Sequence, residues 1–106
     1  MIKTGNNPTL FMSTMDFNKV IQALSLRTRR EILRVIADRP KTLIQIYKEL
    51  KNKNIPIKYR ESVYKSLKRL ISAGLVEKVY EKRTVLYKSR FSKIKVDLVS
   101  EKIELS

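Results

Sequence analysis

The sequence predicts a mainly helical α+β fold: four short helices, then a two-stranded β-hairpin, with extra elements at both ends. Three observations predict it. Apolar residues at helical spacing recur in four blocks between Phe17 and Ile71. Gly74 offers the left-handed residue that ends such a helix. Two runs rich in β-branched and aromatic residues follow at once, Leu75–Tyr80 and Thr84–Lys88. A chain of 106 residues with 42% apolar content forms one domain around one modest core.

Residues 1–13 contain Gly5, Asn6, Asn7 and Pro8 and read as a flexible N-terminal segment, with a short apolar cluster at Leu10, Phe11 and Met12. Phe17, Val20, Ile21 and Leu24 repeat at intervals of three and four, which predicts a first helix from Asp16 to Leu24. Thr28 with Glu31 is a capping-box pattern that opens a second helix through Ile32, Leu33, Val35 and Ile36, ending near Asp38 because Pro40 follows. Thr42 with Gln45 is another capping box. It opens a third helix with Leu43, Ile46, Tyr47 and Leu50 on one face.

Lys51 to Tyr59 is a polar connector in which Pro56 excludes a continuous helix and Ile55 and Ile57 tuck under the domain. The fourth helix then places Val63, Leu67, Leu70 and Ile71 on one face and Glu61, Lys65, Lys68 and Ser72 on the other. The hairpin after it has Glu81, Lys82 and Arg83 at its tip. With no glycine or asparagine there, a tight primed turn is disfavoured and a slightly irregular turn is expected. In Phe91 to Leu105, Ile94, Val96 and Leu98 alternate like a strand, whereas Ile94, Leu98 and Ile103 can share a helix. A helix over the second half of the segment is the favoured reading. The expected organisation is therefore a flexible segment 1–13, a domain 14–90 and a C-terminal helix in 91–106.

Charge narrows the function. Lys and Arg total 24 against 10 acidic residues, a net +14. The excess is +1 in residues 1–26, +6 in 27–57, +7 in 58–90 and zero in 91–106. The cations thus coincide with the fourth helix and the hairpin, which favours contact with nucleic acid over a merely solvated surface. A helix that packs on one side, shows cations on the other and leads into a hairpin is what a winged helix-turn-helix uses to enter a major groove. Cysteine and histidine are both missing. That excludes disulfides, thiolate or imidazole metal ligands, and Cys- or His-based catalysis. The carboxylates are scattered and two glycines are too few for a phosphate-cradling loop, so no enzyme, cofactor or metal site is expected. No apolar run approaches membrane-spanning length and no signal peptide is visible, so a cytoplasmic, nucleoid-associated protein without membrane contact is expected.

The segment Leu24-Ser-Leu-Arg-Thr-Arg-Arg-Glu-Ile-Leu33 resembles the start of the second helix in ArsR/SmtB-type winged helices. Ser62-Val63, Leu67-Lys-Arg-Leu70 and Ala73-Gly-Leu-Val76 are similar to that family's recognition helix and its exit. The resemblance spans about residues 17–90. It implies a three-helix core with a two-stranded wing, acting as a homodimer on operator double-stranded DNA and usually blocking transcription. By position it implies that Thr42 and Gln45 lie near the phosphate backbone. It sets Arg60, Glu61, Ser62, Tyr64 and Lys65 nearest the base edges, with Lys82 and Arg83 at the wing tip. Lys58 and Tyr59 before the helix, and Lys68 and Arg69 along it, extend this candidate surface. Many members sense metals through Cys or His; lacking both, this chain is not expected to.

Individual residues keep bland readings beside these. Tyr64 either stacks on the core edge or meets a base methyl or phosphate. Glu61 reads as a first-turn carboxylate favoured by the helix dipole rather than a cytosine reader. Arg27, Arg29 and Arg30 oppose the dipole of the second helix, which suggests either a phosphate contact or a salt bridge across a dimer. Phe11, Phe17, Ile21, Ile94, Leu98 and Ile103 either pack within the chain or, as preferred here, form a dimer interface of low charge. The competing functions are a winged-helix protein-interaction module and a non-specific, chromatin-type nucleic-acid-binding protein.

Overall fold

The computed structural model of the protein describes residues 10–11 and 14–106, with side chains from Phe17 onward. In chain order the elements are β1 (Leu10–Phe11), α1 (Thr14–Leu24), α2 (Arg27–Val35), α3 (Leu43–Asn52), α4 (Arg60–Ser72), β2 (Val76–Glu81), β3 (Thr84–Ser89), β4 (Ile94–Asp97) and β5 (Lys102–Leu105). This is the expected α+β winged helix-turn-helix: α2, α3 and α4 form the three-helix core, and β2 and β3 form the wing.

The apolar faces read from the sequence converge. Val20 of α1, Ile32 of α2 and Ile36 just after it, Ile46 and Leu50 of α3, and Val63, Leu67 and Leu70 of α4 are almost completely buried in one cluster. Ile55 and Ile57 of the connector join it, as anticipated. The capping box of α3 is present in full. Gln45 N–H donates to Thr42 Oγ1 at 3.2 Å and Thr42 N–H donates to Gln45 Oε1 at 2.9 Å. Gly74, at φ 81°, ends α4 in the left-handed region where glycine has no Cβ to clash.

Several expectations fail. The capping box at Thr28 and Glu31 does not form: α2 starts at Arg27, its N-cap is Leu26, and no side chain caps it. Only Ser25 and Leu26 separate α1 from α2, so the chain must turn into the new helix before Thr28. The helix also ends early, at Val35.

The wing turn is tight rather than irregular. Glu81 pairs with Thr84, leaving Lys82 and Arg83 as a two-residue loop with φ of 47° and 68°. Both values lie in the region that type I′ hairpins require and that side chains with a Cβ resist. The twist match between strands overrides the residue preference.

Finally, residues 91–106 hold no helix. They form the β4–β5 hairpin, closed by Asp97 Oδ1, which accepts from the N–H groups of Val99 and Ser100. The alternating reading of Ile94 and Val96 wins because β5 has a partner on each side. The sheet runs β1-β5-β4, with Leu10 opposite Leu105 and Val96 opposite Ile103. Leu10–Phe11 is thus a strand rather than part of a flexible segment; residues 1–9 and 12–13 lie outside the described residues. Ile103 and Leu105 are fully buried in the same core as the helices, so this hairpin is an integral part of the fold.

Candidate nucleic-acid interface

The surface is built from the start of α3, the connector, α4 and the wing. Burial of Val63, Leu67 and Leu70 fixes the rotation of α4. That rotation leaves Arg60, Glu61, Ser62, Tyr64, Lys65, Lys68 and Arg69 exposed. Lys58 and Tyr59 are exposed just before the helix, and Lys82 and Arg83 are exposed at the wing tip. Gln45 is exposed and Thr42 half-buried at the start of α3, and their capping bonds hold that turn rigid.

Lysines lie over tyrosine rings along this surface: Lys58 over Tyr59, Lys68 over Tyr64 and Lys51 over Tyr47, each with Nζ 5.6 Å from the ring centre. Tyr64 is 40% exposed, so it sits outside the core. Glu61 is in the first turn of α4, where the helix dipole favours it. A groove of about 620 Å³ runs beside α4, lined by Leu26 and Arg29 on one side and by Ser62, Lys65, Lys68 and Arg69 on the other. Among the described residues no carboxylate lines it. Burial, and then repulsion from Arg69, lowers the pKa of Arg29.

The misplaced arginines have a structural role. Arg29 Nη1 donates to Gln22 O at 2.8 Å and Arg30 Nη1 donates to Leu24 O at 2.6 Å. Both carbonyls belong to the last turn of α1, which has no cation of its own. Two charges that oppose the dipole of α2 therefore complement that of the preceding helix, α1. Arg29→Ala with Arg30→Ala is expected to lower stability by about 1 kcal/mol, read as a lower thermal midpoint.

Lys41 was not among the anticipated residues. It is 4% exposed, and its Nζ contacts Glu49 at 2.9 Å and Asp38 at 3.3 Å while donating to Val35 O. Its backbone bridges to the wing: Lys41 N–H donates to Tyr87 O at 3.1 Å and Tyr87 N–H to Lys41 O at 2.8 Å. One residue thus ties the end of α2, the second half of α3 and the base of β3. Burial would lower the pKa of Lys41, but hydrogen bonds to Glu49 and Asp38 outweigh it and the net shift is upward. Asp38 is held low, chiefly by its hydrogen bond with Lys41. At the other root of the wing, Arg90 donates to Gly74 O at 3.3 Å and lies 3.9 Å from Glu77. Tyr80, 72% exposed on β2, also escaped the sequence reading; only its position opposite Val85 near the wing tip marks it.

No family model and no curated protein matches this chain. A solved structure does. It is an ArsR-like transcriptional regulator from Rhodococcus sp. RHA1, with 29% identity over 71% of this chain and a TM-score of 0.58. The fold is an ArsR-type winged helix. This chain covers 65% of the regulator's own length. Among the described residues no three carboxylates come together as a metal site, and no helix is long and apolar enough to cross a membrane.

Of the residues anticipated for a dimer, Phe17 and Ile103 are buried in the chain's own core and Ile94 packs against it. Ile103 is taken by the β4–β5 hairpin that replaces the expected helix. Ile21 and Leu98 remain exposed, at 37% and 76%. The side chain of Phe11 lies outside the described residues.

Proposed function

We propose that the protein is a sequence-specific double-stranded DNA-binding transcriptional regulator that acts as a homodimer and represses. The observation that carries this reading is the α4 face. A helix fixed by three buried residues presents Arg60, Tyr64, Lys65, Lys68 and Arg69 outward, beside a hairpin with two cations at its tip. The likeness to the ArsR-like transcriptional regulator supports it. Lysines and arginines neutralise phosphates and supply affinity, while Arg60, Glu61, Ser62, Tyr64 and Lys65 read base edges. Thr42, Gln45, Lys58 and Tyr59 hold the backbone that flanks them. The reading invokes no cofactor, metal or catalytic step, and places the protein in the cytoplasm at the nucleoid.

The test is selection from a random duplex library at two salt concentrations, followed by sequencing. Enrichment of a palindrome of about 15–25 base pairs that survives the higher salt supports the reading. Retention without enrichment, lost steeply with salt, supports non-specific binding instead. No retention at either salt supports a protein-interaction module.

The wing tip offers a separable prediction. Lys82→Asn with Arg83→Gly supplies the residues that a two-residue primed turn prefers. Relief of two left-handed side-chain residues is expected to raise stability by about 1 kcal/mol or more. The same change removes two cations, so DNA affinity is expected to fall while the thermal midpoint rises.

A further inference from the structure

The free edge of β4 is self-complementary. Lys93 and Ser106 exchange both backbone hydrogen bonds, at 3.1 Å each. In an antiparallel ladder such pairs alternate, so Lys95 and Asp97 also turn their backbone groups toward β5. Ile94 and Val96 therefore turn theirs outward, to an edge that no other strand covers among the described residues. The side chains alternate as well. Ile94 and Val96 share the inner face with Leu105 and Ile103, while Lys95 and Asp97 share the outer face with Glu104 and Lys102. Lys95 Nζ lies 3.8 Å from Glu104 Oε1 on that outer face.

We infer that β4 pairs antiparallel with β4 of a second copy, about a two-fold axis through Val96, to give one continuous six-stranded sheet. The inference rests on the homodimer reading and specifies its interface. In this register Val96 exchanges hydrogen bonds with the partner's Val96. Each Lys95 faces the partner's Asp97, and each Ile94 faces the partner's Leu98. Moving the axis to Lys95 opposes two lysines, and moving it to Asp97 opposes two aspartates. A one-residue slip puts the inner face of one strand against the outer face of the other.

Only the register centred on Val96 gives alternating charges across four strands: Lys102, Asp97, then the partner's Lys95 and Glu104. A lysine on an edge strand normally discourages pairing. Here the aspartate two residues on cancels that effect, for this partner and this alignment alone. Charge also favours a second copy. Residues 91–106 carry no net charge, so two copies meet here without the repulsion expected between +14 chains elsewhere. The register further gives Leu98, 76% exposed in the isolated chain, an apolar neighbour. The contact is isologous, as a two-fold interface must be.

The experiment is sedimentation equilibrium on the full chain, without DNA, at several concentrations. Val96→Pro removes an N–H that points away from β5, so the fold is retained, as circular dichroism and thermal melting check. The wild type is expected to be dimeric and V96P monomeric. Two charge reversals test the register. Lys95→Asp and Asp97→Lys alone each oppose like charges in their own dimers and should weaken self-association about ten-fold or more. Mixed, the two variants are mutually complementary and should associate again. A dimeric wild type that stays dimeric with V96P, or reversals that show no rescue on mixing, overturns the β4 interface while leaving a dimer by another surface. A wild type that is monomeric at all concentrations overturns the homodimer reading and the interface together.

Discussion

Replacing Arg60 and Lys65 together with alanine is expected to weaken operator binding by about 100-fold and to leave the thermal midpoint nearly unchanged. Both side chains are exposed and neither takes part in an ion pair among the described residues, so their loss opens no cavity and strands no partner there. Arg60 occupies the first turn of α4, where a cation opposes the helix dipole, and its removal favours the helix slightly. Each contact to a base edge or phosphate contributes about 1–3 kcal/mol to DNA binding, which gives about two orders of magnitude for the pair. If both residues meet phosphate, the dependence of log affinity on log salt shallows by about two. If they meet bases, the slope holds and selectivity between sequences falls. Undiminished operator binding by the double variant would mean that α4 is not the reading helix.

Lys41→Ala is expected to cost about 2 kcal/mol of stability. The ammonium is covered, but its partners Asp38 and Glu49 are 67% and 40% exposed and regain water when it leaves. The loss is therefore smaller than for a wholly buried pair. Lys41→Met keeps the packed methylenes and isolates the charge.

The pH dependence follows from the two shifts. Lys41 is raised in the folded protein, so its contribution is full below the ordinary lysine value of about 10.4 and fades as pH rises through the higher folded value. Asp38 is depressed, so its contribution is present above the ordinary aspartate value of about 3.9 and fades as pH falls through the lower folded value. The stability gap between wild type and Lys41→Met should thus be widest between those limits and narrow toward both extremes. Chemical denaturation at a series of pH values measures it; a gap independent of pH would rule out the charge as its source.

The sequence revealed most clearly what depends on local spacing. The capping box at Thr42 and Gln45, the rotation of α4 and the left-handed Gly74 are each set within one or two turns of chain. What it hid depends on distant partners. Thr28 satisfies the local rule for a cap, but a two-residue link to α1 forces the helix to start earlier. Ile94, Val96 and Leu98 fit a strand while Ile94, Leu98 and Ile103 fit a helix, and local spacing favours the helix until β1 arrives to pair with β5. Lys82 and Arg83 resist a primed turn locally, and the twist of the wing imposes one. Lys41 gives no periodic signal at all, because its partners lie in α2's end, α3 and β3. The exposed α4 face was legible because burial of its opposite side was. Phe17 and Ile103 look surplus to a small core in the sequence, because the C-terminal hairpin that enlarges this core depends on distant strand pairing.

The bridge between Lys41 and Tyr87 makes the wing a lever with a clamped base and a free end. Its root moves with the helices, Val85 still packs against the core, and the tip at Lys82 and Arg83 lies three residue pairs beyond the bridge. The angle of the hairpin is thus written at the start of α3 rather than at the tip. Any event that loosens that corner would swing the two terminal cations through a wide arc without touching them.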